Sequence, residues 1–214
     1  MKESVPTDSI QEISRRPLQH LDYFMEWGAK TWQHLMAHAF EHFLGTNLQG
    51  QQVLEIGTRF GKMACLFTLL GAKVIGLDLR KESLSVAQGE AAKWNITERV
   101  VFVQGGSDLS IFKDNSFDMV FSKSVLVVVP GLARFLEEIN AKLKPGGKVV
   151  FLENVKGPWF VHILRAFRHG KWDYTKAHYF TLREIRVVSS IFDEVVVRKH
   201  AFPPVVLILG HKRV

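Results

Sequence analysis

Glu55, Gly57, Gly61 and Asp78 are the residues whose types and spacing point first to chemistry. Val53-Leu54-Glu55-Ile56 is apolar apart from its acid and breaks into Gly57-Thr58-Arg59-Phe60-Gly61-Lys62. An apolar run of this length reads as a buried strand, and Gly57 and Gly61 let the chain leaving it turn sharply. Lys62-Met63-Ala64-Cys65-Leu66-Phe67-Thr68-Leu69-Leu70 suits a helix packed back on that strand. Such a strand, turn and helix bring backbone close to a ligand and can seat a nucleotide-like cofactor. Lys73-Val74-Ile75-Gly76-Leu77-Asp78 reads as a second buried strand. It ends in a carboxylate about 20 residues beyond the turn, the spacing of an acid that accepts hydrogen bonds from both ribose hydroxyls.

The elements that must hold these residues alternate along the chain. Strands are expected near Gln52 to Ile56, Lys73 to Asp78, Val100 to Gln104, Phe117 to Ser122 and Lys148 to Glu153. Helices are expected near Lys62 to Leu70, Lys81 to Trp94 and Pro130 to Leu143, with Pro130 in the first turn. Alternation of this kind implies a parallel sheet. Thr181 to Ser190 reads as a further helix, capped by Thr181 with Glu184 completing a capping box. Two strand-like runs, Glu194 to Lys199 and Val205 to Leu209, are joined through Pro203 and Pro204 and imply a terminal antiparallel strand. Upstream, Leu21, Phe24, Met25, Leu35, Phe40 and Phe43 recur at mostly helical spacing over Leu18 to Leu44, with a break at Gly28. Residues 1–17 read as a flexible N-terminus, and residues 18–214 as one domain whose segment 18–48 is helical.

The glycine turn, the acid closing the second strand, the Asn115-Ser116-Phe117-Asp118 entry and the Leu143-Lys144-Pro145-Gly146-Gly147 turn fall in the order of a known family. From about Val53 to Glu153 the chain resembles the class I S-adenosylmethionine-dependent methyltransferases, especially their small-molecule branch. The resemblance implies an α/β fold, a Rossmann-like parallel seven-stranded sheet with a terminal antiparallel strand and helices on both faces. It implies S-adenosyl-L-methionine as cofactor and segment 18–48 as a lid, to which Tyr23, Trp27 and Trp32 would contribute, although ordinary core packing explains these aromatics nearly as well. Glu55, Gly57, Thr58 and Gly61 are the implied cofactor residues of the turn, with Glu55 near the cofactor's ammonium group. Asp78 would hold the ribose, Leu79 would pack on the adenine, and Ser122 lies at the mouth of the sheet. Relatives carry an acid directly after Gly105, where this chain has Gly106. Asp108, or the backbone and hydroxyl of Ser107, would then hold the adenine amino group. Arg59 stands where the family pattern has a glycine. A nicotinamide-binding domain shares the turn and acid but usually carries G-x-G-x-x-G, which this chain lacks.

Methyl transfer from a sulfonium needs an in-line nucleophile held close, with a general base only for some acceptors. His178 and Glu153 are the candidates for that base, with Asn154 beside the latter. Ser122-Lys123-Ser124 is not the Asn/Asp-Pro-Pro-Tyr/Phe motif of enzymes that methylate amide or adenine nitrogens. The expected function is methyl transfer to a small anionic or amphipathic acceptor. The alternatives are a methyltransferase of RNA or protein and a noncatalytic cofactor-binding protein.

Composition narrows the classes further. One cysteine, Cys65, excludes an intrachain disulfide and a cysteine-cluster metal site, and its apolar helix makes it a core residue rather than a thiol nucleophile. His34, His38 and His42 repeat every four residues but lack an acid or cysteine partner, so they read as one polar stripe with no metal. The formal charge of +7 concentrates in Arg165, Arg168, His169, Lys171, Lys176 and Arg183, interleaved with Phe167, Trp172, Tyr174, Tyr179 and Phe180. That stretch suits an anionic acceptor, an RNA or a membrane surface, and equally a solvated helix face with its aromatics turned inward. With no signal-like segment and no apolar run of the roughly 20 residues needed to span a bilayer, a soluble cytoplasmic protein is expected.

Overall fold

A computed structural model describes residues 7–25, 30–157, 179–201 and 204–213. The chain divides into two compact units, residues 1–106 and 107–214. In the first, β1 (Gln52–Ile56), β2 (Lys73–Asp78) and β3 (Val100–Gln104) lie in the order β3-β2-β1, with all pairings parallel. Their bounds match the sequence expectation. Helix α4 (Lys62–Leu69) packs on all three strands and α5 (Lys81–Lys93) on β2 and β3. Parallel strands need such crossovers, and α4 buries Met63 to Thr68 without a gap because it lies wholly in the core.

Ahead of β1 come α1 (Thr7–Arg15), α2 (Leu21–Phe24) and α3 (Lys30–Ala39), the last continuing into a π-helical turn at Phe40–Leu44. Helix α1 falls within the segment expected to fray, and Ile13, near its end, is buried. The break expected at Gly28 lies outside the described residues.

The second unit holds β4 (Phe117–Lys123), β5 (Leu143–Asn154), β6 (Phe192–His200) and β7 (Val205–Lys212) in the order β4-β5-β7-β6. β4 and β5 are parallel, and β7 runs antiparallel to both of its neighbours, β5 and β6, so the expected terminal reversal is present. The seven strands, mixed in direction with helices on both sides, form the expected Rossmann-like α/β class. Helix α6 (Leu132–Lys142) begins after Gly131, whose φ of +68° sets the entry, so Pro130 precedes the helix instead of lying in its first turn. Helix α7 (Leu182–Ile191) carries the expected capping box: the Arg183 N–H donates to Thr181 Oγ1 at 3.1 Å, and the Thr181 N–H donates to Glu184 at 2.8 Å.

The register explains one small residue. Gly76 pairs with Glu55 on one side and Phe102 on the other. Partners in parallel strands project to the same face, so the Phe102 ring lies over the gap that glycine leaves. A Cβ at Gly76 would stand 2.7 Å from Phe102 Cδ1 and 2.8 Å from Thr58 Oγ1. Gly76→Ala is therefore expected to cost about 1–3 kcal/mol, the usual range for overpacking, and Phe102→Leu in the same chain to recover part of it. Chemical denaturation of the two single variants and the double variant measures that coupling, and additive losses would rule it out.

Candidate functional site

The glycine turn is built by ties to the end of β2. Gly57 and Thr58 N–H groups donate to the Leu77 carbonyl at 2.8 and 3.0 Å, and the Gly61 N–H donates to the Thr58 carbonyl at 2.9 Å. Gly61 has a φ of +74°, and a Cβ there would meet Ala87 Cβ at 2.7 Å and Phe102 Cζ at 2.8 Å. Only glycine satisfies both the left-handed backbone and that close approach. Phe102 thus braces the turn at Gly61 and fills the space over Gly76. Nothing in the sequence marks it out, since a strand aromatic reads simply as core.

Arg59 occupies the left-handed region at φ +51°, where the family pattern has a glycine. Its N–H donates to Asp78 Oδ2 at 2.8 Å, and its guanidinium lies 4.5 Å from the centre of the Phe60 ring. These contacts hold a conformation that costs an L-residue roughly 1–2 kcal/mol. Among variants lacking the guanidinium, Arg59→Gly is expected to be about 1 kcal/mol more stable than Arg59→Ala, because alanine retains the steric cost. Equal denaturation midpoints for the two would contradict a left-handed turn at this residue.

Asp78 closes β2 and is mostly buried. Besides Arg59, it accepts the Arg80 N–H on Oδ1 at 3.0 Å. One backbone bond per oxygen orients the carboxylate and leaves each oxygen a further lone pair. Leu79, next in the chain, is 71% exposed, an unusual cost for a leucine beside a buried acid. Gly105 donates its N–H to the Asp78 carbonyl at 3.0 Å, and a Cβ at Gly106 would stand 2.9 Å from Leu79 Cδ2. Oriented carboxylate oxygens beside an exposed apolar side chain, at strand ends, are the chemistry a ribose and a purine require, so the residues of the first unit fit a nucleoside.

Glu55 is buried, and its Oε2 accepts the Thr58 hydroxyl proton at 2.7 Å. The acid of the strand is thus tied to the turn it precedes. Behind the turn, Lys62 Nζ donates to the Tyr23 carbonyl at 3.0 Å and lies 4.2 Å from the centre of the Tyr23 ring. Tyr23 donates its hydroxyl proton to Glu90, which also accepts from Trp94 Nε1 at 3.1 Å and Lys93 Nζ at 2.8 Å. Burial pushes the Glu90 carboxyl up, but the bonds from Lys93, Tyr23 and Trp94 outweigh it and hold the group below its ordinary value. The segment expected as a lid is therefore fastened, through Tyr23, to the helix that follows the turn. Trp32 is buried, and Trp27 lies outside the described residues. Burial pushes the Cys65 thiol up, which suits a core residue.

In the second unit, Ser107 and Asp108 are both exposed. The Asp108 carboxylate is held below its ordinary value by hydrogen bonds from the Ser110 hydroxyl and N–H, the latter at 2.9 Å. Those bonds orient it from within its own turn. Ser122 is fully buried, and its hydroxyl has no partner among the described residues. Ser122 pairs with Phe151, so Glu153, two residues on, projects to the same face.

Glu153 is completely buried. Its Oε1 accepts the Val125 and Leu126 N–H groups at 3.1 and 3.0 Å, while Oε2 has no partner among the described residues. Burial dominates those bonds and pushes the carboxyl up to about 8. The loop it grips leaves β4 through Ser124, at φ +58°, whose Oγ accepts from Asn154 Nδ2 at 3.0 Å. His178 lies outside the described residues.

Comparison with known proteins agrees with this architecture. The family described as "Methyltransferase domain" matches residues 54–151. The chain is 35% identical over 111 residues to a sterol 24-C-methyltransferase of Gibberella zeae, covering 50% of this chain and 29% of that protein. It is 36% identical over 107 residues to a ubiquinone biosynthesis O-methyltransferase of Nitrosococcus oceani, covering 49% and 44%. The chain thus spans less than half the length of these relatives. An S-adenosylmethionine-dependent methyltransferase structure from Mesorhizobium loti superposes with a TM-score of 0.64 at 19% identity, covering 86% of this chain and 98% of that one, a likeness of fold. The matched residues run from the strand within the first unit that precedes the glycine turn to the strand that carries Glu153, so residues 54–151 carry a match to a methyltransferase domain, on a fold shared with S-adenosylmethionine-dependent methyltransferases.

Proposed function

We propose that the protein transfers a methyl group from S-adenosyl-L-methionine to a small anionic or amphipathic acceptor. The observation that carries the reading is Asp78, whose carboxylate is oriented by the glycine turn at Arg59 and by Arg80 and keeps a lone pair on each oxygen. When bound, the cofactor supplies an electrophilic sulfonium methyl group. Asp78 would accept both ribose hydroxyls, Leu79 would cover the adenine, and Glu55, through Thr58, would keep the turn from Gly57 to Gly61 rigid. We place Ser107 and Asp108 at the adenine edge, and Ser122 at the mouth of β4.

Most of the rate would come from holding the acceptor's nucleophile in line, since orientation alone can supply a large share of a barrier. For an acceptor that must lose a proton, His178 is our proposed base. Glu153, offered by the sequence as a second base, is better suited to anchoring the Ser124 loop, because its Oε1 is occupied and its proton is held to about pH 8.

Calorimetric titration of S-adenosylmethionine and S-adenosylhomocysteine into the purified protein tests the reading. Saturable binding by wild type is expected. Folded wild-type protein that binds neither would overturn it in favour of a noncatalytic fold.

A further inference from the structure

The excess charge of this chain belongs to one unit. Residues 1–106 contain 11 Lys and Arg against 11 Asp and Glu, whereas residues 107–214 contain 17 against 10. The whole +7 therefore resides in the second unit.

Within that unit, cations at the two ends of the strands are treated differently. At the amino ends of β4 and β5, Lys142 meets Asp114 at 2.6 Å and Lys144 meets Asp118 at 2.8 Å. Past the end of β7, at the same end of the sheet, Arg213 meets Asp193 at 2.9 Å.

The opposite end is where β5 and β6 finish and β7 begins. Asn154, Val205 and His200 form one row across the three strands. The Lys156 N–H donates to the Phe180 carbonyl at 3.1 Å, bringing the start of α7 to this row. Lys156, Leu182, Arg183, Lys199 and His200 are all exposed here. Lys156, Arg183 and Lys199 have no carboxylate partner among the described residues.

Cations without a carboxylate partner among the described residues, on the same rim as an exposed leucine, suit a surface that is both anionic and apolar beneath its charges. Single-stranded RNA would instead call for exposed aromatic faces, and among the described residues of this rim Phe180 is fully buried and Tyr179 half-buried. We propose that this rim of the second unit docks on anionic lipid membranes, with Lys156, Arg183 and Lys199 meeting the headgroups and Leu182 entering the interface. The docking needs no cofactor, so it stands or falls separately from the methyl-transfer reading.

The test is flotation of the full chain with phosphatidylcholine vesicles, with and without about 30% phosphatidylserine, at low and high salt. Binding to the phosphatidylserine vesicles that weakens with salt is expected. Lys156→Glu, Arg183→Glu and Lys199→Glu together should weaken it more than tenfold, since each basic residue near an anionic surface contributes. An equal charge change at the other end, Lys113→Glu, Lys142→Glu and Arg213→Glu, should weaken it far less. Circular dichroism checks that each variant is folded, and Gln replaces Glu at the rim if the reversed variant is not. The proposal is overturned by no flotation of wild type, by equal flotation with both vesicle types, by equal loss in the two triple variants, or by tight RNA binding without vesicle binding.

Discussion

Asp78→Ala is expected to weaken S-adenosylmethionine binding by about 10²–10⁴-fold while leaving a folded protein. Two hydrogen bonds from ribose hydroxyls to a charged acceptor are each worth roughly 1.5–3 kcal/mol, and both would vanish together. The variant also loses the acceptor that holds the Arg59 and Arg80 N–H groups, so the turn would loosen as the ribose contact is lost. Asp78→Asn separates the two contributions. It retains one oxygen for a backbone N–H but presents an amide where the second acceptor stood, so its affinity should fall between wild type and Asp78→Ala. Calorimetry with a thermal melt of each variant measures both effects. Unchanged affinity in a folded Asp78→Ala would remove Asp78 from the site.

Glu153 carries the second large expectation, which appears in stability against pH. Its folded-state value, pushed up to about 8 by burial, lies above the ordinary 4.5. Between those values the folded protein keeps a proton that the unfolded chain releases, so stability falls as pH rises. The contribution is fully present below the unfolded value and is lost as pH climbs through about 8. Glu153→Gln copies the protonated side chain, with an amide oxygen for the Val125 and Leu126 N–H groups. At pH 6 the variant should already exceed wild type by about 2 kcal/mol, because the unfolded wild-type chain has released its Glu153 proton there while the folded protein keeps it. Relative to wild type it should gain about 2–3 kcal/mol between pH 6 and 9.5, at 1.36 kcal/mol for each unit of pH up to the folded value. Glu153→Ala should be destabilised by several kcal/mol at either pH, because it leaves two buried donors without an acceptor. Urea denaturation at the two pH values is the measurement. A Gln-minus-wild-type difference that does not change with pH would mean that Glu153 is already ionised at pH 6.

These two acids differ in how far the sequence alone exposes their roles. The position of Asp78 at the end of β2 was legible because its signal is local: an apolar strand, a terminal acid, and a glycine turn 17 to 21 residues before it. The bounds of β1, β2 and β3 and the capping box at Thr181 were legible for the same reason, since strand runs and helix caps are written within a few neighbouring residues. Glu153 could be placed at a strand end, but not in the dark: its burial depends on β7 covering β5, and its grip on Val125 and Leu126 joins positions 27 and 28 residues apart.

Sequence by itself determined the order of elements, and its motifs pointed to the methyltransferase domain matched over residues 54–151. Tertiary structure alone decided that Phe102 braces Gly61 and Gly76, that Arg59 adopts the glycine-like conformation of the turn, and that Asp108 accepts the Ser110 N–H. It also decided which cations are paired and which are left at the rim of the second unit. The division has a physical basis. Propensity, turn chemistry and capping act between neighbours in the chain, whereas register, burial and charge pairing arise only when distant segments are packed against one another.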